Sequence, residues 1–269
     1  MRVVMISKAL VAGTSQRKLE ELAKCPDVEL TLITPAYWQS DDGSKLVLER
    51  LYTRGYQMIV TPIMLNGNFH LHYYPQLGKI MRQLRPQVVH IDEEPYNFAT
   101  FHAMWLACQL KARALFFTWQ NLYRNYPPPF RQMELYNYRH AAFALAGNRD
   151  AVHVLKRKGY RGPAHVIPQF GFDTEIYKRT EARPLRTADS PFTLGFVGRL
   201  KDNKGLDLLI EALTQLPPHC RVVFIGNGPM KSILEEQAAR LGVANRITFK
   251  GGLPTYEIPK EMQQLDALV

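Results

Sequence analysis

Residues 193–216 read TLGFVGRLKDNKGLDLLIEALTQL, which is a short apolar run, a glycine turn and a longer segment with one apolar stripe. The run predicts a strand over residues 193–197 and the stripe a helix over 205–216 with one buried face. The stripe consists of Leu206, Leu209, Ile210, Leu213 and Leu216. A strand, a glycine turn and a helix form the repeating unit of a parallel sheet covered by helices.

The same alternation extends in both directions along the chain. Further strands are predicted at 3–6, 28–34, 57–61, 88–91, 114–118, 143–146, 165–167, 221–225 and 246–249. Amphipathic segments separate most of them, among them 15–24, 74–84, 98–110, 150–158 and 230–241. Continuous Val, Ile and Phe runs indicate strands buried on both faces. The predicted fold class is α/β with doubly wound parallel sheets.

Composition divides the chain into two domains joined by a linker. Residues 177–191 are charged, interrupted by proline and without periodicity. We therefore predict an N-terminal domain at 1–168, a linker at 169–191 and a second domain at 192–269. A short helix at 257–264 and the opening of a strand at 266–269 follow. At about 80 residues the second domain is smaller than usual, so we expect it to be incomplete at its C-terminal side.

Charge and cysteine content limit the possible partners. The 269 residues carry a net charge of +10, and residues 1–168 hold 21 Lys and Arg against 12 Asp and Glu, a net +9. This basic half suits either a solvated surface or an anionic partner, including peripheral membrane contact. No nucleic-acid-binding motif is present, so no nucleic-acid partner is predicted. Cys25, Cys108 and Cys220 lie far apart, which predicts neither a disulfide framework nor a metal site. No signal peptide or membrane span is evident, and we expect a cytoplasmic protein, with a membrane-peripheral location as the alternative.

Two glycine turns have the character of phosphate sites. Gly198-Arg199 with Lys204-Gly205 follows one predicted strand, and Gly226-Asn227-Gly228-Pro229 follows the next. Backbone N–H groups at helix N-termini, assisted by cations, bind phosphates. Plain solvated loops are the alternative interpretation. For the short second motif alone that alternative is favoured, whereas the first pair at its spacing is more specific.

These motifs, taken in order, resemble those of glycosyltransferase family 4. The resemblance rests on VGRL (197–200) with Lys204-Gly205, IGNGP (225–229) and FKGGL (249–253). In the first half it rests on VIPQFGFD (166–173), DEEPYN (92–97) and FTWQNLY (117–123). It extends over the full length of the chain.

The resemblance implies a GT-B fold, in which two Rossmann-like domains flank an active-site cleft. It implies that Arg199, Lys204 and Gly198 hold the diphosphate of a nucleotide-diphosphate sugar. The other donor-side positions that it implies are Gly226, Gly228, Gly251 and Leu253, with Gly13 facing the cleft from the N-terminal domain. It further implies transfer with retention to a saccharide, lipid-linked or small-molecule acceptor. The donor is a substrate, so no cofactor is expected. No Asp-x-Asp occurs, so no metal is expected either.

The acceptor side is less well defined. Glu94 and Asn121 are the candidate catalytic residues. Trp119 and Gln120 stand where many relatives have a histidine, and the family's Glu-x7-Glu pair would follow Val269. His70 and His72 suit a loop or packing role, and His90 is expected to be a hydrogen-bonded strand residue.

Three other functions were weighed. An NAD-dependent oxidoreductase requires G-x-G-x-x-G after the first strand, and the chain lacks it there. A nucleotide-sugar epimerase shares the architecture but not the family 4 motifs. A catalytically inactive fragment that acts as a binding or partner module stays open.

Overall fold

The structure, a computed structural model, describes residues 1–40, 43–178, 187 and 190–269. It divides into two compact units, Met1–Phe172 and Asp173–Val269. Residues 169–172 therefore stay with the first unit, although the predicted linker began at 169. Of that linker, residues 179–186 and 188–189 lie outside the described residues.

A seven-stranded parallel sheet forms the centre of the first unit. Its strands are β1 (Arg2–Ile6), β2 (Glu29–Thr34), β5 (Gln57–Val60), β6 (Val88–Ile91), β7 (Arg113–Thr118), β8 (Phe143–Ala146) and β9 (Ala164–Val166). They lie in the order β5-β2-β1-β6-β7-β8-β9. A separate antiparallel pair, β3 (Tyr37–Gln39) and β4 (Lys45–Val47), lies outside this sheet. The chain reverses direction across the sheet between β1 and β6, and such a switch point opens a crevice at the carboxyl edge.

Helices cover both faces of this sheet because neighbouring strand residues point in opposite directions. Val4, Ile6 and Phe116 belong to a core shared with α2 (Leu77–Leu84), α3 (Phe98–Gln109), α4 (Phe130–His140) and α5 (Arg149–Arg157). Met5 points to the other face, where it packs with Leu19 of α1 (Arg17–Ala23). The doubly wound α/β class is thus confirmed for this unit.

The second unit repeats the plan on a smaller scale. Its four parallel strands are β10 (Phe192–Val197), β11 (Cys220–Ile225), β12 (Ile247–Gly251) and β13 (Ala267–Leu268), in the order β12-β11-β10-β13. Its helices are α6 (Leu206–Gln215), α7 (Lys231–Arg240) and α8 (Ile258–Met262). Four members of the predicted stripe on α6 are buried, Leu206, Leu209, Ile210 and Leu213. Each fully buried leucine contributes about 1.5–3 kcal/mol, so this stripe is a main source of the unit's stability.

Two elements were not predicted: the β3–β4 hairpin and α4. Helix α4 buries Glu134 and Asn137 while Leu135 is exposed, so its apolar residues do not trace the buried face. The preceding Pro127-Pro128-Pro129 also reads as a loop. Among the described helices, none has the length and apolar character needed to cross a lipid bilayer.

Candidate functional site

Three loops meet at the carboxyl edge of the sheet in the second unit. They follow β10, β11 and β12, which are neighbours in the sheet. Backbone hydrogen bonds join them: Gly198 N–H to the Ile225 carbonyl (2.9 Å), Leu200 N–H to that of Asn227 (3.0 Å) and Gly226 N–H to that of Gly251 (2.8 Å). The predicted donor-side glycines are thereby brought together at one edge.

Gly226 and Gly228 are required by the close crossing of these loops. A Cβ atom on Gly226 would lie 1.9 Å from the carbonyl oxygen of Gly198, and one on Gly228 would lie 2.2 Å from that of Leu200. No real Cβ tolerates such distances from backbone, and a backbone atom moves only if the loop moves. Gly226 also has a φ of 141°. The glycines therefore bring backbone, rather than side chains, to the edge where ligands of parallel sheets bind.

Arg199 and Lys204 lie in the loop between β10 and α6, and both side chains are exposed. The intervening Leu200 is fully buried and anchors the loop. Lys204 closes a 3-10 turn over Asp202–Lys204, and Gly205, with a φ of 64°, leads into α6. Both cations are thus placed at the N-terminal side of a helix, where the backbone carries partial positive charge.

Asn227 is a residue that the sequence analysis did not single out. Its side-chain oxygen would lie 3.6 Å from a Cβ on Gly251, and its nitrogen 2.8 Å from one on Gly252. The amide therefore packs on the backbone after β12, where Leu253 is half-buried. The signal was available in the motif, since Asn227 stands between the two predicted glycines. The helix predicted at 230–241 is α7, which begins at Lys231.

In the first unit, the carboxyl ends of β1 and β6 carry a network around Asp92. Its carboxylate accepts hydrogen bonds from Ser7 Oγ (2.9 Å), Lys18 Nζ (3.1 Å) and Gln169 Nε2 (2.8 Å). Asp92 is 3% exposed, so the ion pair with Lys18 is shielded from water on one side. Gln169 also accepts from Trp119 Nε1 at 2.6 Å. The segment after β9 is thereby tied to the centre of the sheet.

Glu93 belongs to a second, separate network. Lys8 donates to its carboxylate, and His72 Nε2 lies 3.7 Å from Oε1. Burial alone would raise the pKa of Glu93, but Lys8 and His72 together lower it to about 2. Glu93 is therefore an anion across the physiological range. His72 is fully buried and packs edge-on against Trp38 at 5.1 Å, in agreement with the predicted packing role.

Glu94, the candidate catalytic carboxylate, makes a third set of contacts. Its Oε2 accepts a hydrogen bond from Thr118 Oγ1 at 2.6 Å, and its Oε1 accepts one from the backbone N–H of Trp119 at 2.7 Å. Burial raises the pKa of Glu94 to about 7 even though these two bonds favour the anion. A carboxyl group with such a pKa exchanges its proton near neutral pH, which is the property of a general acid or base.

Gly13 and Asn121 lie in two other loops of the first unit. Gly13 lies in a 3-10 turn, where its N–H donates to Glu49 Oε2 at 2.8 Å. A Cβ there would lie 2.6 Å from Leu51 Cγ, so local packing accounts for this glycine. Asn121 is exposed in the loop between β7 and α4.

His90 corrects one expectation. It was expected to be a hydrogen-bonded strand histidine, but its buried Nε2 has no hydrogen-bond partner among the described residues. Burial lowers the pKa of His90 to about 4, so the ring is neutral near pH 7. It lines a cavity of about 570 Å³ together with Lys18, Asp92, Phe117 and Leu145.

Comparisons with known proteins agree with this organisation. Residues 178–269 match the family model of glycosyl transferases group 1. A segment of 79 residues is 35% identical to the 2-deoxystreptamine glucosyltransferase of Streptomyces kanamyceticus, covering 28% of this chain and 20% of that enzyme. A segment of 73 residues is 36% identical to the GDP-mannose-dependent alpha-(1-6)-phosphatidylinositol monomannoside mannosyltransferase of Mycolicibacterium smegmatis, covering 26% and 19%. The aligned segments thus span about a fifth of these curated relatives.

The fold has a solved counterpart. The crystal structure of Alr3699/HepE from Anabaena, in complex with UDP and glucose, superposes with a TM-score of 0.66 at 19% identity. The match covers the whole of this chain and 73% of that one. Residues 178–269 thus match the model of the glycosyl transferases group 1 family, and the chain has the GT-B fold that its resemblance to glycosyltransferase family 4 implied.

Proposed function

We propose that this protein is a glycosyltransferase that takes its sugar from a nucleotide-diphosphate donor bound at the carboxyl edge of the second unit. The observation that carries the proposal is the set of three interlocked loops after β10, β11 and β12, with Arg199 and Lys204 in the first of them. The similar proteins support the donor class, because the mycobacterial mannosyltransferase is GDP-mannose-dependent and the Anabaena protein was crystallised with UDP.

The chemistry of the leaving group explains the residue types. When the bond between the anomeric carbon and the diphosphate oxygen breaks, negative charge develops on the diphosphate. Two cations and the positive end of α6 stabilise that charge without a metal ion. Gly226 and Gly228 would present backbone beside the donor, and Gly251 and Leu253 would border the base.

Glu94 and Asn121 are proposed to act on the acceptor. The attacking hydroxyl must lose a proton as the new glycosidic bond forms, and a carboxyl group with a pKa of about 7 is suited to accept it. Transfer with retention of configuration is proposed from the family resemblance. A saccharide, lipid-linked or small-molecule acceptor is proposed as well, and the basic charge of residues 1–168 supports a cytoplasmic location with peripheral membrane contact.

Calorimetric titration with UDP and GDP, without metal, tests the donor site. We expect saturable binding of one nucleotide, and a loss of at least about tenfold in affinity for Arg199→Ala and for Lys204→Ala, since each removes a phosphate contact. Arg240→Ala is the matched control, because Arg240 is an exposed cation in the last turn of α7, away from the loops. Equal affinity in the wild type and both loop variants would refute the site.

The competing function is donor binding without transfer, as a binding module. The observation that favours it is that the loops after β10, β11 and β12 are joined within the second unit alone, so that a nucleotide could bind there without any transfer. Release of free sugar or glycoside from a radiolabelled donor distinguishes the two. Nucleotide binding with no release of label over a panel of acceptors would support the binding module, whereas release that depends on Arg199 would support the transferase.

A further inference from the structure

The amino edge of the seven-stranded sheet in the first unit contains a second cavity, of about 710 Å³. It lies at the opposite edge of the sheet from Ser7, Asp92 and Glu94, because its residues precede or open the strands. Among the described residues that line it there are five cationic side chains and no carboxylate. The cations, all exposed, are Arg2, Arg82, Arg85, Lys111 and Arg113.

Positive charge is in clear excess at this edge. Within the described part of the chain, none of the five side chains forms an ion pair. Helices α2 and α3 both end here, and each C-terminus contributes about half a negative charge. The nearest carboxylate in the sheet register is Glu29, opposite Arg2. About three positive charges are left after these are subtracted, which is enough to attract a multiply charged anion.

The backbone at two of these cations is unusual. Arg85 has a φ of 46° and Lys111 a φ of 56°, so both adopt the left-handed conformation that follows a helix and favours glycine. Leu65 is the one other non-glycine residue with positive φ in the described chain. Arginine and lysine thus occupy two positions where the backbone favours a residue without a side chain. A ligand-binding role for the two side chains accounts for the presence of Arg85 and Lys111 at these positions.

The cations are also held on a rigid frame. Gln87 donates its N–H to the Arg2 carbonyl at 2.9 Å, and its side-chain oxygen accepts the Arg2 N–H at 2.9 Å. Its own carbonyl accepts the Arg113 N–H at 3.0 Å. Arg2 Nε donates to the carbonyl of Arg85, also at 2.9 Å. Three of the five cations, Arg2, Arg85 and Arg113, are thereby joined through hydrogen bonds that involve their backbone groups before any ligand binds.

We infer that this cavity is an anion site that binds phosphate groups. Four of the five cations are arginines, whose planar guanidinium groups match phosphate oxygens two at a time. The phosphate can come from a free diphosphate-type anion or from the headgroups of anionic phospholipids. The site lies in the other unit from the donor loops and does not depend on the proposed function.

The test variant is Arg85→Gly/Lys111→Gly in the full chain. Glycine relieves the left-handed backbone while the variant loses two of the five charges, so the fold is retained, and an unchanged melting temperature verifies this. The control is Arg139→Gln/Lys156→Gln, which removes two exposed cations elsewhere in the same unit. Both are made with Arg199→Ala/Lys204→Ala, so that the donor loops do not bind the probe.

Two probes are used: inorganic pyrophosphate in calorimetry, and co-sedimentation with phosphatidylcholine vesicles with or without phosphatidylglycerol. We expect at least one probe to bind, with affinity reduced about tenfold or more in the glycine variant and retained in the control. Pyrophosphate binding alone identifies a free anion as the ligand, and binding to phosphatidylglycerol vesicles alone identifies lipid headgroups. Failure of both probes, an unchanged affinity in the glycine variant or an equal loss in the control would overturn the inference.

Discussion

Replacement of Glu94 by glutamine should change how the stability of the first unit depends on pH. In the folded chain the pKa of Glu94 is about 7, against an ordinary value of 4.5. Between these pH values the folded state keeps a proton that the unfolded state has lost, so the free energy of unfolding falls as pH rises. The difference of 2.5 pKa units corresponds to about 3 kcal/mol at 1.36 kcal/mol per unit. That loss is complete above about pH 7.

Glutamine mimics the protonated acid. Its oxygen accepts the Trp119 N–H and its nitrogen donates to Thr118 Oγ1, so both contacts survive. We therefore expect Glu94→Gln to match the wild type near pH 4.5 and to exceed it by about 3 kcal/mol above pH 7. Urea unfolding followed by tryptophan fluorescence is the assay, because Trp38, Trp105 and Trp119 all lie in the first unit.

Glu29→Gln serves as the control, since Glu29 is an exposed carboxylate of the same unit. Its stability difference from the wild type should stay flat over the range in which the Glu94 variant diverges. If the free energy of unfolding of Glu94→Gln runs parallel to that of the wild type from pH 4.5 to 7, the burial of the carboxyl group does not raise its pKa. The assignment of Glu94 as the proton acceptor would then lose its physical basis.

Two further predictions concern a tightly packed glycine and a buried ion pair. Gly226→Ala should destabilise the second unit by about 2–4 kcal/mol, since its Cβ would lie 1.9 Å from the Gly198 carbonyl oxygen. Thermal unfolding followed by circular dichroism measures this loss. The control is Gly171→Ala, which should be neutral because nothing lies within 4 Å of its Cβ position. Lys158→Met should cost about 3–5 kcal/mol in urea unfolding, because it leaves the buried Glu134 carboxylate without this partner. Adding Glu134→Leu should restore part of the loss, and no recovery would contradict a charge-based cause.

The strands were predictable because buried parallel strands appear in the sequence as uninterrupted apolar runs. The predicted strands at 88–91 and 143–146 agree with β6 and β8, and most other strands differ by one or two residues. Helix α4 was not predicted, because two of its buried residues are polar. Glu134 forms an ion pair with Lys158, and Asn137 donates a hydrogen bond to the Pro95 carbonyl at 2.7 Å. A helix whose inner face is polar produces no apolar period to detect.

The candidate site was predictable only in part, for a related reason. Glycines reveal where a loop needs a special backbone, so Gly226 and Gly228 were found without knowledge of the strand crossing that requires them. Long-range polar contacts produce no comparable pattern in the sequence. Asp92 binds Lys18 and Gln169, which are 74 and 77 positions away, and no local pattern pairs them.

The three successive carboxylates at 92–94 limit how this loop can evolve or be engineered. Each one serves a separate group of partners, because the chain bends at Glu93 just after β6 ends. A deletion or insertion of one residue would exchange all three sets of partners at once, whereas a substitution disturbs one. Libraries aimed at the proposed acceptor side should therefore hold the length of this segment constant and vary its side chains one at a time.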